Sequence, residues 1–331
     1  MLSRTACRIF GLALLAWLPS SHAQTDFNAT RQAASTSSGQ AFPSKMVRFV
    51  MPFAVGGSSD ANGRIIAPSL TERWKQQVII EPRPGAATAL GTDVVAKSPP
   101  DGHTLLLTST QYSQIPALFA KLPFDPLNDL VPITRITRSP QVIVAHPSLP
   151  AKNIKELVAL ARMRPGQINM ANAGASLPSH LFNMLAKVKI EQVPYKGAGP
   201  MMIDAMGGHV HLAIGAISSV QAAVRSGRMR MLGATSPSLA FPDVPVISKD
   251  VPGFDSDTWF ALFAPRGTSR EVVQRIRDDV AAVMQNPNTR QRLLDIGGEP
   301  SGEPPEEFAA RVRAEIARWK EVAIVAGIKP E

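Results

Sequence analysis

The sequence predicts an α/β protein built from two doubly wound domains. Short apolar runs with strand spacing alternate with helical patterns from Met46 to the C-terminus, which is typical of parallel sheets covered by helices on both faces. The length of 331 residues exceeds what one typical core holds. The order of apolar strand, proline, turn and helix in QVIVAHPSLPAKNIKELVAL recurs in WFALFAPRGTSREVVQRI. We interpret these two segments as the two crossings of the chain between the domains.

Residues 1–23 have the pattern of an export signal. Arg4 and Arg8 supply positive charge, Ile9 to Leu18 form an apolar run, and Ser21-His22-Ala23 resembles a small-x-small cleavage site. A membrane anchor is the alternative, but this apolar run of ten residues is half of what a bilayer requires. We therefore predict cleavage after Ala23 and a periplasmic location.

Residues 24–45 are rich in Ser, Thr, Ala and Gln and are predicted to be a disordered leader. The only cysteine, Cys7, lies in the signal, so no disulfide is expected in the mature chain, which suits a bacterial periplasm. The formal charge of +9 falls to +7 without Arg4 and Arg8. Because the basic residues form no dense run and the aromatics are not interleaved with them, no nucleic-acid partner is predicted.

Strands and helices alternate along the rest of the chain. The predicted strands are 47–53, 77–82, 103–109, 142–148, 168–172, 191–195, 209–215 and 228–236. The predicted helices are 60–74, 89–97, 154–161, 179–187, 200–206, 269–285, 287–295 and 305–326, with Asp60 as the N-cap of the first. Residues 46–143 and 258–331 are assigned to domain 1, and residues 144–257 to domain 2. The C-terminal helices are expected to return to domain 1.

The turn VGGSSD joins the first strand to the first helix. Glycines allow backbone N–H groups to approach a ligand closely, and a helix start offers free N–H groups with partial positive charge. Ser58 and Ser59 add hydroxyl donors. Together these features predict an anion site that needs no charged side chain, although a simple tight turn explains the same residues. No lysine follows the glycines, and the spacing is not G-x-G-x-x-G, so known nucleotide fingerprints are excluded.

Two other turns share this design. NMANAGASLPSH places small residues between a strand and a helix, with His180 on that helix. TSTQYSQ, residues 108–114, places hydroxyls and an amide after another strand, at the sheet edge where open α/β proteins bind ligands. Three uncharged polar turns on two domains predict a cleft that holds a small anion by hydrogen bonds.

Motifs for enzyme chemistry are weak. G-x-S-x-G is absent, and nothing in the spacing of Ser58, Asp60 and His180 requires a triad. His209 and His211 are predicted on one strand face, but no third residue has metal-ligand spacing. Neither a cofactor nor a metal is predicted.

The order of the motifs PF-x-x-GG-x-x-D, RPGA, PDG-x-TLL and VPYKG resembles the receptors of tripartite tricarboxylate transporters, the Bug family, from about Lys45 to the C-terminus. The resemblance implies the type II periplasmic binding protein fold, in which two α/β domains joined by two crossing strands close on a ligand. Ligands of the family are mostly carboxylates, and some members bind other small molecules.

The resemblance also implies which residues meet the ligand. The turn after the first strand supplies Phe53, Ala54, Gly56, Gly57 and Ser58, and the neighbouring Ser59 and Asp60 are further candidate ligand contacts of this sequence. Thr108, Ser109, Thr110 and Gln111 lie between this turn and the turn of the second domain. The turn after the strand of the second domain supplies Ala173, Gly174, Ala175 and Ser176 from across the cleft, and His180 and Tyr195 are further candidate ligand contacts of this sequence.

The chain departs from the family pattern in the second half of the expected pocket. The usual Thr of the second turn is replaced at Leu177, the usual Asp-Asn is Gly215-Ala216, and the Gly after RPGA is Ala87. These changes lower the polarity and remove an acidic group, so an amino-acid ligand is disfavoured. They favour a monocarboxylate with an apolar or aromatic tail over citrate.

The leading hypothesis is a monomeric receptor that passes a small carboxylate to a membrane permease. A periplasmic sensor subunit that signals to a kinase would use the same pocket, and a hydrolase on this fold is a remote alternative.

Overall fold

The computed structural model describes residues 42–173, 177–195 and 198–330. The predicted signal peptide and nearly all of the predicted leader lie outside the described residues, as do Gly174, Ala175 and Ser176. Within the described ranges, no helix has both the length and the apolar character needed to cross a membrane.

The chain forms one sheet, crosses to a second, and returns to the first. Before the first crossing it forms β1 (Val47–Met51), α1 (Ser58–Trp74), β2 (Val78–Pro82), α2 (Ala89–Ala96), β3 (Thr104–Ser109), α3 (Gln111–Gln114) and β4 (Leu130–Ser139). Between the crossings it forms β5 (Gln141–Ala145), α4 (Ile154–Met163), β6 (Asn169–Ala173), α5 (Leu177–Ala186), β7 (Glu191–Tyr195), α6 (Ala198–Met206), β8 (Leu212–Ala216), α7 (Ile217–Arg225) and β9 (Arg230–Ala234). After the return it forms β10 (Thr258–Pro265), α8 (Arg270–Gln285), α9 (Pro287–Asp295), β11 (Glu299–Pro300) and α10 (Pro305–Val325).

The two sheets contain the predicted parallel strands and, in addition, antiparallel ones. The first sheet has the order β11-β4-β10-β3-β1-β2, and the second has the order β7-β6-β8-β5-β9. β1 is parallel to β2 and β3, and β6 is parallel to β7 and β8. β10 and β5, the strands that follow the two crossings, run antiparallel to both of their neighbours. Each enters its sheet from the other domain, which reverses its direction.

Alternate residues of the central strands face opposite helical layers, as the strand period of two requires. In the first sheet, Phe49 packs with residues of α1 and α8, whereas Val50 packs with residues of α2 and α10. In the second sheet, Ile143 packs with residues of α4 and α5, whereas Val144 packs with residues of α6 and α7. Both domains are therefore three-layer α/β/α structures, which confirms the predicted fold class. The exact domain limits stay a prediction, and β5 pairs wholly within the second sheet although its first residues were assigned to domain 1.

Two elements near the crossings were not predicted from the sequence. β4 contains Pro132, which opposes Phe263 next to a register shift. β11 pairs with β4 at Thr137 and Arg138, so Pro132 lies where β4 forms an edge and needs no donor. α7 was also missed, although its buried Ile217, Val220 and Ala223 have helical spacing.

The predicted roles of Asp60 and of two histidines are wrong in detail. The N-cap of α1 is Gly57 with extended backbone, and Asp60 lies in the first turn of the helix. His209 and His211 precede β8 rather than lying on it. Nδ1 of His211 lies 2.7 Å from Oδ1 of Asn169, a contact that joins the loop to β6.

The last helix returns to domain 1, as the sequence predicted, and also packs against domain 2. Phe308, Val312 and Ile316 of α10 are buried in a core of the first domain. Trp319 and Val322, further along the same helix, are buried in a core of the second domain.

Candidate functional site

A cavity of about 480 Å³ lies between the two domains. Its walls include residues at the carboxyl ends of four parallel strands: Phe53 after β1, Ser109 of β3, Ala173 of β6 and Gly215 of β8. The carboxyl ends of strands are where open α/β sheets bind ligands. The position agrees with the cleft expected from the three polar turns.

The turn between β1 and α1 forms part of the first-domain wall. Gly56 has a φ of +85°, a conformation that side chains disfavour, and its N–H donates to Oδ2 of Asp60 at 2.9 Å. Gly57, Ser58 and Ser59 then line the cavity. The first N–H groups of α1 have no acceptor within the helix, so the backbone presents free donors to this space.

Asp60 stabilises this turn and does not line the cavity. Its side chain is buried and accepts a 2.8 Å hydrogen bond from Nε of Arg64. This hydrogen bond, together with the one from Gly56, outweighs burial and holds the pKa of Asp60 below its ordinary value. Ala54 and Gly56 likewise belong to the turn but not to the lining.

The segment after β3 contributes Ser109, Thr110 and Gln111 to the cavity, as predicted, whereas Thr108 is fully buried and lies outside it. The N–H of Thr110 donates to the carbonyl of Trp259 at 3.2 Å, and Oγ of Ser113 donates to the carbonyl of Thr110 at 2.8 Å. This segment is therefore attached to β10 and to α3.

The second-domain wall is mainly apolar where the structure describes it. Pro178, Ala198, Met201 and Ile214 line it, together with the predicted Ala173. The predicted Gly174, Ala175 and Ser176 lie outside the described residues.

His180 and Tyr195 were predicted in the site but do not line the cavity. His180 is partly buried on α5, and burial lowers its pKa. The hydroxyl of Tyr195 donates to Oδ2 of Asp204 at 2.7 Å, a contact that joins β7 to α6.

The floor of the cavity comes from the crossing segments, which the sequence did not identify as part of the site. Gln141 begins β5 and Thr258 begins β10, and both line the cavity. Nε2 of Gln141 donates to Oγ1 of Thr258 at 3.0 Å. Gln114, Asn172 and Ser219 are further polar lining residues outside the prediction. Asn172 lies near the end of β6 and Ser219 near the start of α7. Their positions next to strand-to-helix turns were the signal by which the sequence could have identified them.

The electrostatic character of the cavity comes from the backbone. α1, α5, α6 and α7 each have nine or more residues and begin at the cavity, with Ser58, Pro178, Ala198 and Ser219 in its lining. A helix N-terminus carries a partial positive charge and free N–H groups. Among the described residues, the lining includes no charged side chain. Such a site favours a small anion.

The residues of the hypothetical triad do not meet in the cavity lining. Ser58 lines the cavity, whereas Asp60 and His180 do not. In the described ranges, no group of three His, Cys, Asp or Glu side chains is placed to hold a metal ion.

Known proteins resemble the chain over most of its length. The model of the tripartite tricarboxylate transporter family receptor matches residues 63–328. Protein BugT of Bordetella pertussis is 32% identical over 92% of this chain and 96% of its own. A solved structure from R. palustris with adipate has a TM-score of 0.75 at 33% identity, covering 88% of this chain and 100% of that one.

MatC from Rhodopseudomonas palustris with bound malate has a TM-score of 0.71 at 31% identity, covering 85% of this chain and 100% of that one. These likenesses confirm the type II periplasmic binding protein fold. The chain belongs to the family of receptors of tripartite tricarboxylate transporters.

Proposed function

We propose that this protein is a periplasmic receptor that captures a small carboxylate in the cavity between its domains and delivers it to a membrane permease. The observation that carries the proposal is the convergence of four helix N-termini on a cavity with no charged side chain among its described residues. The relatives support the chemical class, because one was solved with adipate and another with malate.

The carboxylate binds first to the wall of the first domain. The N–H groups and hydroxyls at Gly57, Ser58 and Ser59 donate to its oxygens, and Thr110 and Gln111 contact it from the neighbouring segment. The second domain then closes over the ligand, with Ala173 opposite the anion. The closed form is what the permease recognises. In this proposal the protein acts as a monomer, catalyses no reaction, binds no nucleic acid and loses residues 1–23 on export.

The two walls also suggest the shape of the ligand. Side-chain hydrogen-bond donors are concentrated on the first wall, whereas the described part of the second wall carries mainly apolar side chains such as Met201 and Ile214. We assign the ligand one carboxylate and an apolar or aromatic tail that packs on Met201. This arrangement favours a monocarboxylate over citrate.

The test is binding of matched acids to the protein from Gln24 onward, by thermal shift and calorimetry. Hexanoate and adipate have the same carbon chain and differ by one carboxylate; benzoate tests an aromatic tail, and malate and citrate test polar ones. A ligand at a hundred times its Kd stabilises the folded state by about 2.7 kcal/mol. We expect hexanoate or benzoate to bind more tightly than citrate. Preference for adipate or citrate would overturn the assigned tail and keep the receptor, whereas no binding of any acid would overturn the carboxylate class.

A further inference from the structure

A buried carboxyl group lies directly behind the cavity. Glu315 of α10 is only 9% exposed, and it is not part of the cavity lining. Oγ of Ser113 lies 2.8 Å from its Oε2, and Nε1 of Trp259 lies 3.0 Å from Oε2 and 3.2 Å from Oε1. Both partners are fully buried.

These two partners belong to two separate segments that line the cavity. Ser113 lies between Gln111 and Gln114, and Trp259 lies between Thr258 and Phe260; all four flanking residues line the cavity. One carboxyl group therefore connects the polar segment after β3 to the strand that forms the floor.

The number of protons in this cluster favours a neutral Glu315. The single proton of the Ser113 hydroxyl faces two acceptors, because the carbonyl of Thr110 lies 2.8 Å from it as well. A protonated Glu315 donates to Oγ of Ser113, which leaves the Ser113 proton for Thr110 and the indole N–H of Trp259 for the other carboxyl oxygen. Each buried donor then has one acceptor.

Burial raises the pKa of Glu315, although the hydrogen bonds from Ser113 and Trp259 and the charges of Arg318 and Arg311 oppose this effect. Arg311 is paired with Glu303 at 2.9 Å, and Arg318 lies 3.9 Å from Asp255. The other charged groups on the adjoining grooves are Arg135, Arg138, Asp257 and Glu307.

Glu315 also lies where α10 passes from one domain to the other. Ile316, the next residue, is buried in a core of the first domain, and Trp319, one turn further, is buried in a core of the second. A shift of the second domain that moves α10 would therefore act on the carboxyl group that holds both lining segments.

We propose that Glu315 is a positioning residue of the ligand cavity, which holds the Thr110–Gln114 segment and the start of β10 in place for binding. This inference rests on the proposed function, since it concerns the same cavity. The proposal predicts that a neutral amide at position 315 keeps both segments in place, as the carboxyl group does. An apolar side chain at the same position is expected to release them.

The experiment compares Glu315→Gln, Glu315→Leu and Ser113→Ala with the control Glu321→Leu, an exposed position on the same helix. Hydrogen–deuterium exchange of the free proteins is followed over residues 108–118 and 257–261, and the affinities for hexanoate and adipate are measured by calorimetry at 25 °C. Ser113→Ala removes the contact between Glu315 and Ser113 but leaves the contact between Glu315 and Trp259 intact. It therefore distinguishes the effects of these two contacts.

We expect Glu315→Leu to speed exchange about tenfold in both segments and to weaken binding about tenfold, as the loss of buried hydrogen bonds predicts. Ser113→Ala should affect residues 108–118 alone, while Glu315→Gln and Glu321→Leu stay near wild type. Folded Glu315→Leu with wild-type exchange in both segments overturns the proposal, as does faster exchange spread evenly over the chain. If the wild type binds neither acid, the proposed ligand class fails, and the exchange result alone decides the role of Glu315.

Discussion

The two walls of the cavity are built from the same elements but differ in what they present. On the first wall, α1 begins with Ser58 and Ser59 after a glycine turn that Asp60 holds in place. On the second wall, α6 begins with Ala198 and α7 follows its N-cap Ala216, and Met201 and Ile214 line the cavity beside them. Equivalent strand-to-helix turns can therefore serve as anion donors or as an apolar surface, depending on a few small side chains.

This difference indicates a division of labour in binding. The first wall supplies directed hydrogen bonds, which fix the position of a carboxylate. The second wall supplies an apolar surface, whose shape selects the tail that the carboxylate carries. Substitutions on the first wall should therefore affect all acids alike, and substitutions on the second should change the preference among them.

The largest effect is expected from Gly57→Val. A side chain there enters the cavity next to the free N–H groups, so binding of every acid should weaken by about a hundredfold or more, equivalent to about 2.7 kcal/mol. The fold should survive, because the nearest atom to a new Cβ is the carbonyl oxygen of Ala54 at 3.9 Å. Calorimetry and circular dichroism measure the two effects.

Gly199→Val is the matched control on the other side of the cleft. Gly199 is exposed on α6, and a Cβ there meets no atom within 4 Å. Its affinity should stay near that of the wild type. Tight binding by Gly57→Val would show that the first turn has only a structural role.

The next effect is expected from Gly215→Asp, which places a negative charge on the second wall. The new Cβ would lie 3.4 Å from Cε of Met201, so the side chain fits after a small shift. Repulsion in a partly desolvated cavity should weaken carboxylate binding about thirtyfold. Gly215→Asn adds similar volume without charge and should cost far less; equal losses for the two variants would mean that volume rather than charge governs this wall.

A smaller effect is expected from Ser58→Ala on the first wall. One hydroxyl donor to the carboxylate is lost, which corresponds to about 1 kcal/mol, or roughly fivefold in Kd. The loss should be the same for hexanoate, benzoate and adipate, because the hydroxyl contacts the group they share. A change in the preference among these acids would contradict the assignment of anion binding to this wall.

The smallest effect on binding is expected from Asp60→Ala, since Asp60 supports the turn from outside the cavity. Loss of its bond to Gly56 should lower the free energy of unfolding by about 1 kcal/mol, with only a few-fold change in Kd. Arg64→Ala is the control, because Arg64 is largely exposed and exposed ion pairs contribute little. Complete loss of binding at unchanged stability would make Asp60 a direct ligand contact.

The destabilisation caused by Asp60→Ala should be smaller at low pH. The pKa of Asp60 is lowered from 3.8 in the folded protein, so its stabilisation is present above pH 3.8 and declines as the pH falls through the lower folded-state value. Urea unfolding should therefore show a smaller difference between Asp60→Ala and wild type near pH 3 than at pH 7.

Local signals in the sequence identified part of the first wall. Glycines and hydroxyls between an apolar strand and a helix identify a turn with free N–H groups, and this signal does not depend on the rest of the fold. Gly57, Ser58 and Ser59 line the cavity. The floor was missed because Gln141 and Thr258 meet only through the pairing of two crossings that are far apart in sequence. The polar character of the two side chains does not by itself predict that they form a hydrogen bond with each other.

His180 and Tyr195 lie outside the cavity lining for another reason. Both residues lie close in sequence to the expected turns, but a helix and a strand place neighbouring residues on different faces. Tyr195 turns to Asp204 of α6, and His180 lies off the cavity on α5. Proximity in sequence to a binding turn was therefore a poor guide to the direction of a long side chain.

The helix shared by the two domains has a consequence for how the protein denatures. Because α10 buries Phe308 and Val312 in one core and Trp319 and Val322 in the other, neither core can melt without exposing apolar surface of a helix that the other core also holds. Heating should therefore produce a single calorimetric peak instead of two, and cleavage within the last turns of the chain should destabilise both domains together.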